Sequence, residues 1–124
     1  MTTQSTLARS SVDQLISTYV AIGVEQYELT QIDEVSRYNR LFKKRREISA
    51  ELRRRGPSAM RALLPLLSHP NLQVILMAAQ DLMDLEPARC RAAFEYVKAS
   101  RIMSQAANAS FSLDIMDGKI GPFV

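Results

Sequence analysis

The 124-residue sequence contains no tryptophan, one cysteine, one histidine and four glycines. Each scarcity closes a class of explanation. With Cys90 alone, neither an internal disulfide nor a cysteine-rich zinc site can form. Set in an alanine-rich helical segment, Cys90 is expected to be a buried, inert thiol. The lone histidine, His69, stands in a turn before Pro70 without an accompanying catalytic constellation. No G-x-S-x-G, phosphate loop, H-E-x-x-H or EF-hand pattern is present. The chain is therefore not expected to be an enzyme, and no catalytic, metal-ligating or cofactor-binding residue and no cofactor is assigned. The longest uninterrupted apolar run, Val74 to Ala79, is too short to cross a bilayer. The opening stretch MTTQSTLARSSVDQ lacks the apolar centre of a signal peptide. A cytoplasmic protein without a membrane partner is the expectation.

What remains is apolar at 47% and charged at 23%, the balance of one soluble globular domain. Few aromatics and glycines among many alanines favour helix over sheet. Ser11 and Gln14 have capping-box spacing, and Val12, Leu15, Ile16, Tyr19, Val20, Gly23 and Tyr27 recur on one face behind them. This predicts a first helix ending near Leu29. A second is predicted from Thr30 or Gln31 to Gly56-Pro57, with Ile32, Val35, Tyr38, Leu41, Phe42, Ile48 and Leu52 on one stripe. At 1.5 Å per residue it would be the longest, roughly 36 Å. Arg45 falls inside its stripe, where a charge must pair with a carboxylate or extend its head to the edge.

Pro57 suits the first turn of a third helix, which Pro65 should kink. Asn71 is placed to cap a fourth helix and Pro87 to open a fifth, ending near Ser100, with Asp84 or Glu86 as its cap. Ser104 can cap a sixth, which Gly118 ends. The fourth helix is apolar over a wide arc, with Gln73, Gln80, Asp81 and Asp84 opposite. Such a helix has neighbours on two sides, and Ala78 and Ala79 would let one come close. A shift of 31 residues superposes Ala62 on Ala93, Leu63 on Phe94, Leu66 on Val97, Ala78 on Ala109, Leu82 on Leu113 and Leu85 on Met116.

The stretch RRRGPSAMRALLPLLSHPNLQVILMAAQDLMDLEP resembles a HEAT or armadillo-like repeat, with a proline in the first helix, a His-Pro-Asn turn, then Val, Ala-Ala and Leu. Ile75 stands where HEAT repeats usually carry Arg. With RYNRLF and ELRRRGP included, the chain is similar to a small bacterial family of single-domain helical-repeat proteins of unassigned function. The resemblance implies an all-α, HEAT-like α-solenoid of about three hairpins, six helices in all, spanning residues 11–118. Residues 1–10 would be a flexible N-terminus. Residues 119–124, KIGPFV, would be a tail whose Ile120, Phe123 and Val124 fold back as a cover.

Charge is concentrated in one place. Residues 31–56 hold nine basic against four acidic residues, net +5, while the rest of the chain is net −2. On a helical wheel Arg37, Arg40, Lys43, Lys44, Arg54 and Arg55 share an outer face, with Glu47 and Glu51 interspersed. One reading is a solvated helix laced by pairs such as Lys43 with Glu47. Another is a partner-binding face, for which Arg37, Arg40, Lys43, Lys44 and Arg54 are the candidate residues. Asp81, Asp84 and Glu86, and then Asp114 and Asp117, gather near predicted helix ends, open to a divalent metal or a basic partner. The function expected is a non-catalytic protein–protein interaction module. The alternative is nucleic-acid binding through the basic face, for which neither an aromatic platform nor a recognition helix is evident. The partner's identity and the oligomeric state are not legible.

Overall fold

The computed structural model describes residues 4–119, without the side chains of Gln4 and Ser5. Among the described residues there are seven α-helices, one 3-10 helix and no strand. The chain is thus all-helical, with one α-helix more than the six expected. The addition is α1, Gln4–Arg9, a short helix that carries no start signal of its own in the sequence. Ile120, Phe123 and Val124, expected to cover an open face, lie outside the described residues. The chain divides into two compact units, Met1–Pro65 and Leu66–Val124.

In the first unit α2, Val12–Ile32, packs against α3, Val35–Arg55, and α3 also meets α1 and the short α4, Pro57–Arg61. The Ser11 capping box forms as its spacing requires: Ser11 Oγ accepts from the Gln14 N–H, and the Gln14 side chain accepts from the Ser11 N–H. The far end of α2 runs three residues beyond the expected stop at Leu29. Its terminator is Asp33, left-handed at φ 59°, and the N–H groups of Asp33 and Glu34 both return to the Leu29 carbonyl. An aspartate in that role is uncommon, since glycine usually fills it. Both α2 and α3 have 21 residues, so α3 is shorter than expected and is not alone as the longest element. Buried Leu15, Tyr19, Ile22, Leu41, Ile48 and Leu52 form the apolar interior of the pair. Across it the buried Gln26 amide donates to the Tyr38 carbonyl at 3.2 Å.

Pro65 does more than kink its helix. The α-helical turns stop at Arg61, and the chain resumes as a 3-10 helix, Leu64–Ser68. Pro65 has no N–H to donate to the Arg61 carbonyl and its ring crowds that turn, so the i to i−4 ladder cannot continue.

In the second unit α5, Leu72–Leu82, packs against both α6, Pro87–Ala99, and α7, Met103–Met116, which also pack on each other. Asn71 caps α5 as expected, its Oδ1 accepting from Gln73 N at 2.9 Å and Val74 N at 3.3 Å. Pro87 occupies the first turn of α6, but Glu86 stands at the N-cap without a side-chain cap bond. Ser104 lies inside α7 rather than at its cap. Ser100 instead organises that corner, donating to the Val97 carbonyl at 2.6 Å and accepting from Ile102 N at 3.2 Å. At the end of α7 Gly118 takes φ 71°, and Lys119 N returns to the Asp114 carbonyl at 2.9 Å. Gln73 and Asp81, expected on the polar side of α5, are both buried. Gln73 is held by the buried Gln105 of α7, whose amide donates to Gln73 Oε1 at 3.1 Å.

Candidate functional site

Six residues of α3 are buried: Leu41, Arg45, Ile48, Ser49, Glu51 and Leu52. Two of them carry charge, and their surroundings separate the cations of this helix into committed and uncommitted sets. Arg45 lies within the apolar stripe, as its position required. Its side chain is buried, with the guanidinium carbon 5.1 Å from the centre of the Phe42 ring, a cation–π arrangement.

Glu51 corrects the helical wheel, which placed it on the solvent face. It is 7% exposed and is gripped by two arginines. Arg54 clasps it with both edges, Nε to Oε1 at 3.1 Å and Nη2 to Oε2 at 2.5 Å, while Arg55 Nε donates to Oε2 at 2.7 Å. These bonds, Arg54's first and Arg55's next, hold the Glu51 carboxyl at about 2 against an ordinary 4.5, outweighing the opposing effect of burial. The same pairing raises Arg54 further above its usual range.

Arg55 has a second task. Its Nη2 donates to the carbonyls of Leu7 at 2.9 Å, Ala8 at 3.3 Å and Ser10 at 2.7 Å. These carbonyls belong to the last turn of α1 and to Ser10 just beyond it, at the negative end of the dipole, where that of Leu7 also accepts from Ser10 N at 3.1 Å. One guanidinium therefore joins α1 to α3 and neutralises Glu51. Leu7 is buried beside it at 5% exposure.

The five candidate residues consequently divide. Arg54 is committed to Glu51, and Arg37 is paired with Glu25 of α2. Arg40, Lys43 and Lys44 are exposed, and among the described residues none of the three is ion-paired. The expected pairing of Lys43 with Glu47 is not formed. Between the last turn of α1 and the outer face of α3 lies an open groove of about 680 Å³, bordered by Leu7 and Ala8 on one side and by Phe42, Lys43, Arg46 and Ala50 on the other. Glu47, Glu51 and Arg54 complete its lining.

Phe42, Arg46 and Leu7 are the groove residues that sequence reasoning missed. Phe42 was assigned to the buried stripe, yet it is 39% exposed. The signal was present: Phe42 follows Leu41 directly, so it sits about 100° round the helix from the stripe's centre. Arg46 is exposed, with its guanidinium carbon 6.0 Å from the Phe42 ring centre. No local pattern in residues 1–10 marks Leu7, because its burial depends on a bond from Arg55, 48 residues away.

The other polar residues singled out by sequence have structural roles. His69 Nδ1 accepts the Asn71 N–H at 3.0 Å and so braces the turn that starts α5. Cys90 is fully buried, and burial, with Glu86 and Asp84 nearby, pushes its thiol up to about 11. Asp117 is bound by Arg91 at 2.5 Å, and Glu86 faces Arg89 at 3.8 Å. Among the described residues no three of His, Cys, Asp and Glu converge to hold a metal ion, and no helix is long and apolar enough to cross a membrane.

The chain matches no curated protein. It is similar to a solved bacterial structure, that of the protein RPA1889 from Rhodopseudomonas palustris CGA009, with 33% identity and a TM-score of 0.86 over 94% of this chain and 98% of that one. Residues 13–117, from the first turn of α2 to the end of α7, match the model of the family described as Domain of unknown function (DUF2019). The chain belongs to that family.

Proposed function

We propose that the chain is a non-catalytic protein-interaction module of the cytoplasm, built from HEAT-like helical hairpins, with the outer face of α3 as its binding face. The observation that carries this reading is the division of the α3 cations. Arg54 and Arg55 are consumed by structure, whereas Arg40, Lys43 and Lys44 are exposed and, among the described residues, not ion-paired, and Lys43 lines a groove that exposes Phe42. Exposed aromatic and arginine side chains at one place are the composition of binding hot spots. The non-catalytic part of the reading is supported by the two side chains best suited to chemistry. His69 is engaged by a backbone N–H, and Cys90 is a buried neutral thiol. The HEAT-like part is supported by the repeat. Leu63 and Phe94, Leu66 and Val97, Ala78 and Ala109, and Leu82 and Leu113 are buried pair by pair.

Nucleic-acid binding through Arg40, Lys43 and Lys44 is the second reading, favoured by their exposure. Glu47 interrupts that strip, and α3 exposes a single ring, Phe42, rather than a run of stacking platforms. Affinity purification of the tagged full chain from its native cell, with and without nuclease, separates the two. A protein recovered equally in both supports the module; recovery abolished by nuclease transfers the face to nucleic acid. A gel-shift with duplex DNA or RNA at about 150 mM salt should show no complex.

A further inference from the structure

We propose that the groove between α1 and α3 receives an acidic amphipathic helix of a partner protein, with an apolar side chain seated against Phe42, Ala50 and Leu7 and with carboxylates meeting Lys43 and Arg46. This rests on the interaction-module reading and names the chemistry of the partner.

Shape comes first. From Phe42 to Arg54 the groove follows 13 residues of α3, twelve rises of 1.5 Å or about 18 Å, the length of some three helical turns. Ala8 and Ala50 are the small residues of the lining and let a helix axis come close. Its volume of about 680 Å³ suits a few side chains rather than a whole domain face.

Charge then selects the occupant. Glu51 is already neutralised by Arg54 and Arg55, so it does not repel an incoming anion. Among the described residues Glu47 is the one lining carboxylate not held by an arginine, against the exposed Lys43 and Arg46. Arg40 and Lys44 extend the positive strip along the same helix. Burying Phe42 beneath an apolar anchor excludes water from these cations, which strengthens their attraction for carboxylates. A phosphodiester chain fits less well, since it offers the alanine floor nothing apolar.

The test uses a fluorescein-labelled synthetic helical peptide of about 14 residues, leucines at i, i+4 and i+7 flanked by glutamates. Its comparison peptides replace every glutamate by lysine, or scramble the order at constant composition. Anisotropy titrations on the full-length chain should show the acidic peptide binding at least about tenfold more tightly than either. Phe42→Ala should weaken it by about tenfold, and Lys43→Glu with Arg46→Glu by more, chiefly through the carboxylate contacts. Ala50→Arg, at an exposed position that α3 tolerates, should block the groove without altering the helical circular dichroism. Lys98→Glu, exposed on α6, serves as the control and should change nothing. Equal binding of the lysine or scrambled peptide, or indifference to both Phe42→Ala and Ala50→Arg, overturns the inference. So does a concentration-dependent dimer in sedimentation that Ala50→Arg abolishes, which would make a second copy the occupant. A nuclease-resistant protein partner recovered equally by the Ala50→Arg chain would sink the groove inference while leaving the module reading intact.

Discussion

α5 and α3 bury their residues by opposite means. Of the 11 residues of α5, nine are buried, seven of them apolar, and the helix packs on α6 and α7. Of the 21 residues of α3, six are buried, and one is an arginine and one a glutamate. In α5 residue type decides most of what goes inside, because the hydrophobic effect is non-directional, and Gln73 and Asp81 are the polar exceptions. In α3 the interior is decided by particular partners, as Glu51 is buried only because Arg54 and Arg55 accompany it. Perturbing α5 should therefore act through volume, and perturbing α3 through pairing.

The largest effect is expected in α5. Ala78 has no exposed surface and lies where α5 meets its neighbours. Leucine there should destabilise the chain by about 1 to 3 kcal/mol through overpacking. A thermal melt matching the parent would show that the alanine pair does not mark a close approach. Next comes Arg55→Ala, which should cost about 1 to 2 kcal/mol, limited by the ease with which a short terminal helix detaches. Its distinguishing sign is local. Amide exchange should accelerate through α1, residues 4–9, while α2 and α5 to α7 keep their protection. Uniform acceleration would mean that the clasp supports the whole unit rather than one helix.

The same contrast explains how much could be read in advance. The start of α5, the start of α6 and the capping box of α2 were legible because Asn71, Pro87 and Ser11 act within three residues of their own positions. Asp33 was not, since a left-handed aspartate announces itself much less than glycine does. The break at Arg61 was legible in place but not in extent. Proline forbids one hydrogen bond, and whether the helix bends or becomes 3-10 depends on packing of the residues around it. Gln73 and Gln105, both polar, went inside as a pair, the Gln105 amide donating to Gln73 Oε1. Of the candidate face, the sequence identified which residues were basic and on which helix. It did not separate Arg54, held by Glu51 three residues before it, from Lys43, left exposed, because each has a glutamate at helical spacing and spacing alone does not decide which pair forms.

A smaller and pH-gated effect follows for Glu51. Its folded value of about 2 lies below the ordinary 4.5, so its contribution is fully present above 4.5 and is lost as pH falls toward 2. Melting curves of the parent and of Glu51→Gln should therefore run at a constant separation above 4.5 and converge as acid approaches 2. A separation that persisted unchanged at pH 2 would mean that the clasp does not depend on the carboxylate charge. Arg55→Ala should respond less to this titration, since its loss also removes the acid-insensitive bonds to the α1 carbonyls.

The smallest effect belongs to the exposed cations of the same helix. Among the described residues Lys43 and Lys44 hold no partner, so replacing either with alanine should shift stability by no more than about 0.5 kcal/mol. Glutamate is the sharper probe. At position 43 it stands four residues before Glu47, a like-charge neighbour on the helix surface, and should destabilise by a few tenths of a kcal/mol. At position 44 the glutamate stands three residues before the same Glu47, so both substitutions set a like charge within helical reach of it. The two substitutions change net charge identically. Losses from both in low salt, shrinking at about 1 M salt, would locate the effect in the Glu47 contact. Equal losses that salt does not change would instead mean that both lysine stems pack against the chain, which would remove the contrast between the structural and the uncommitted cations of α3.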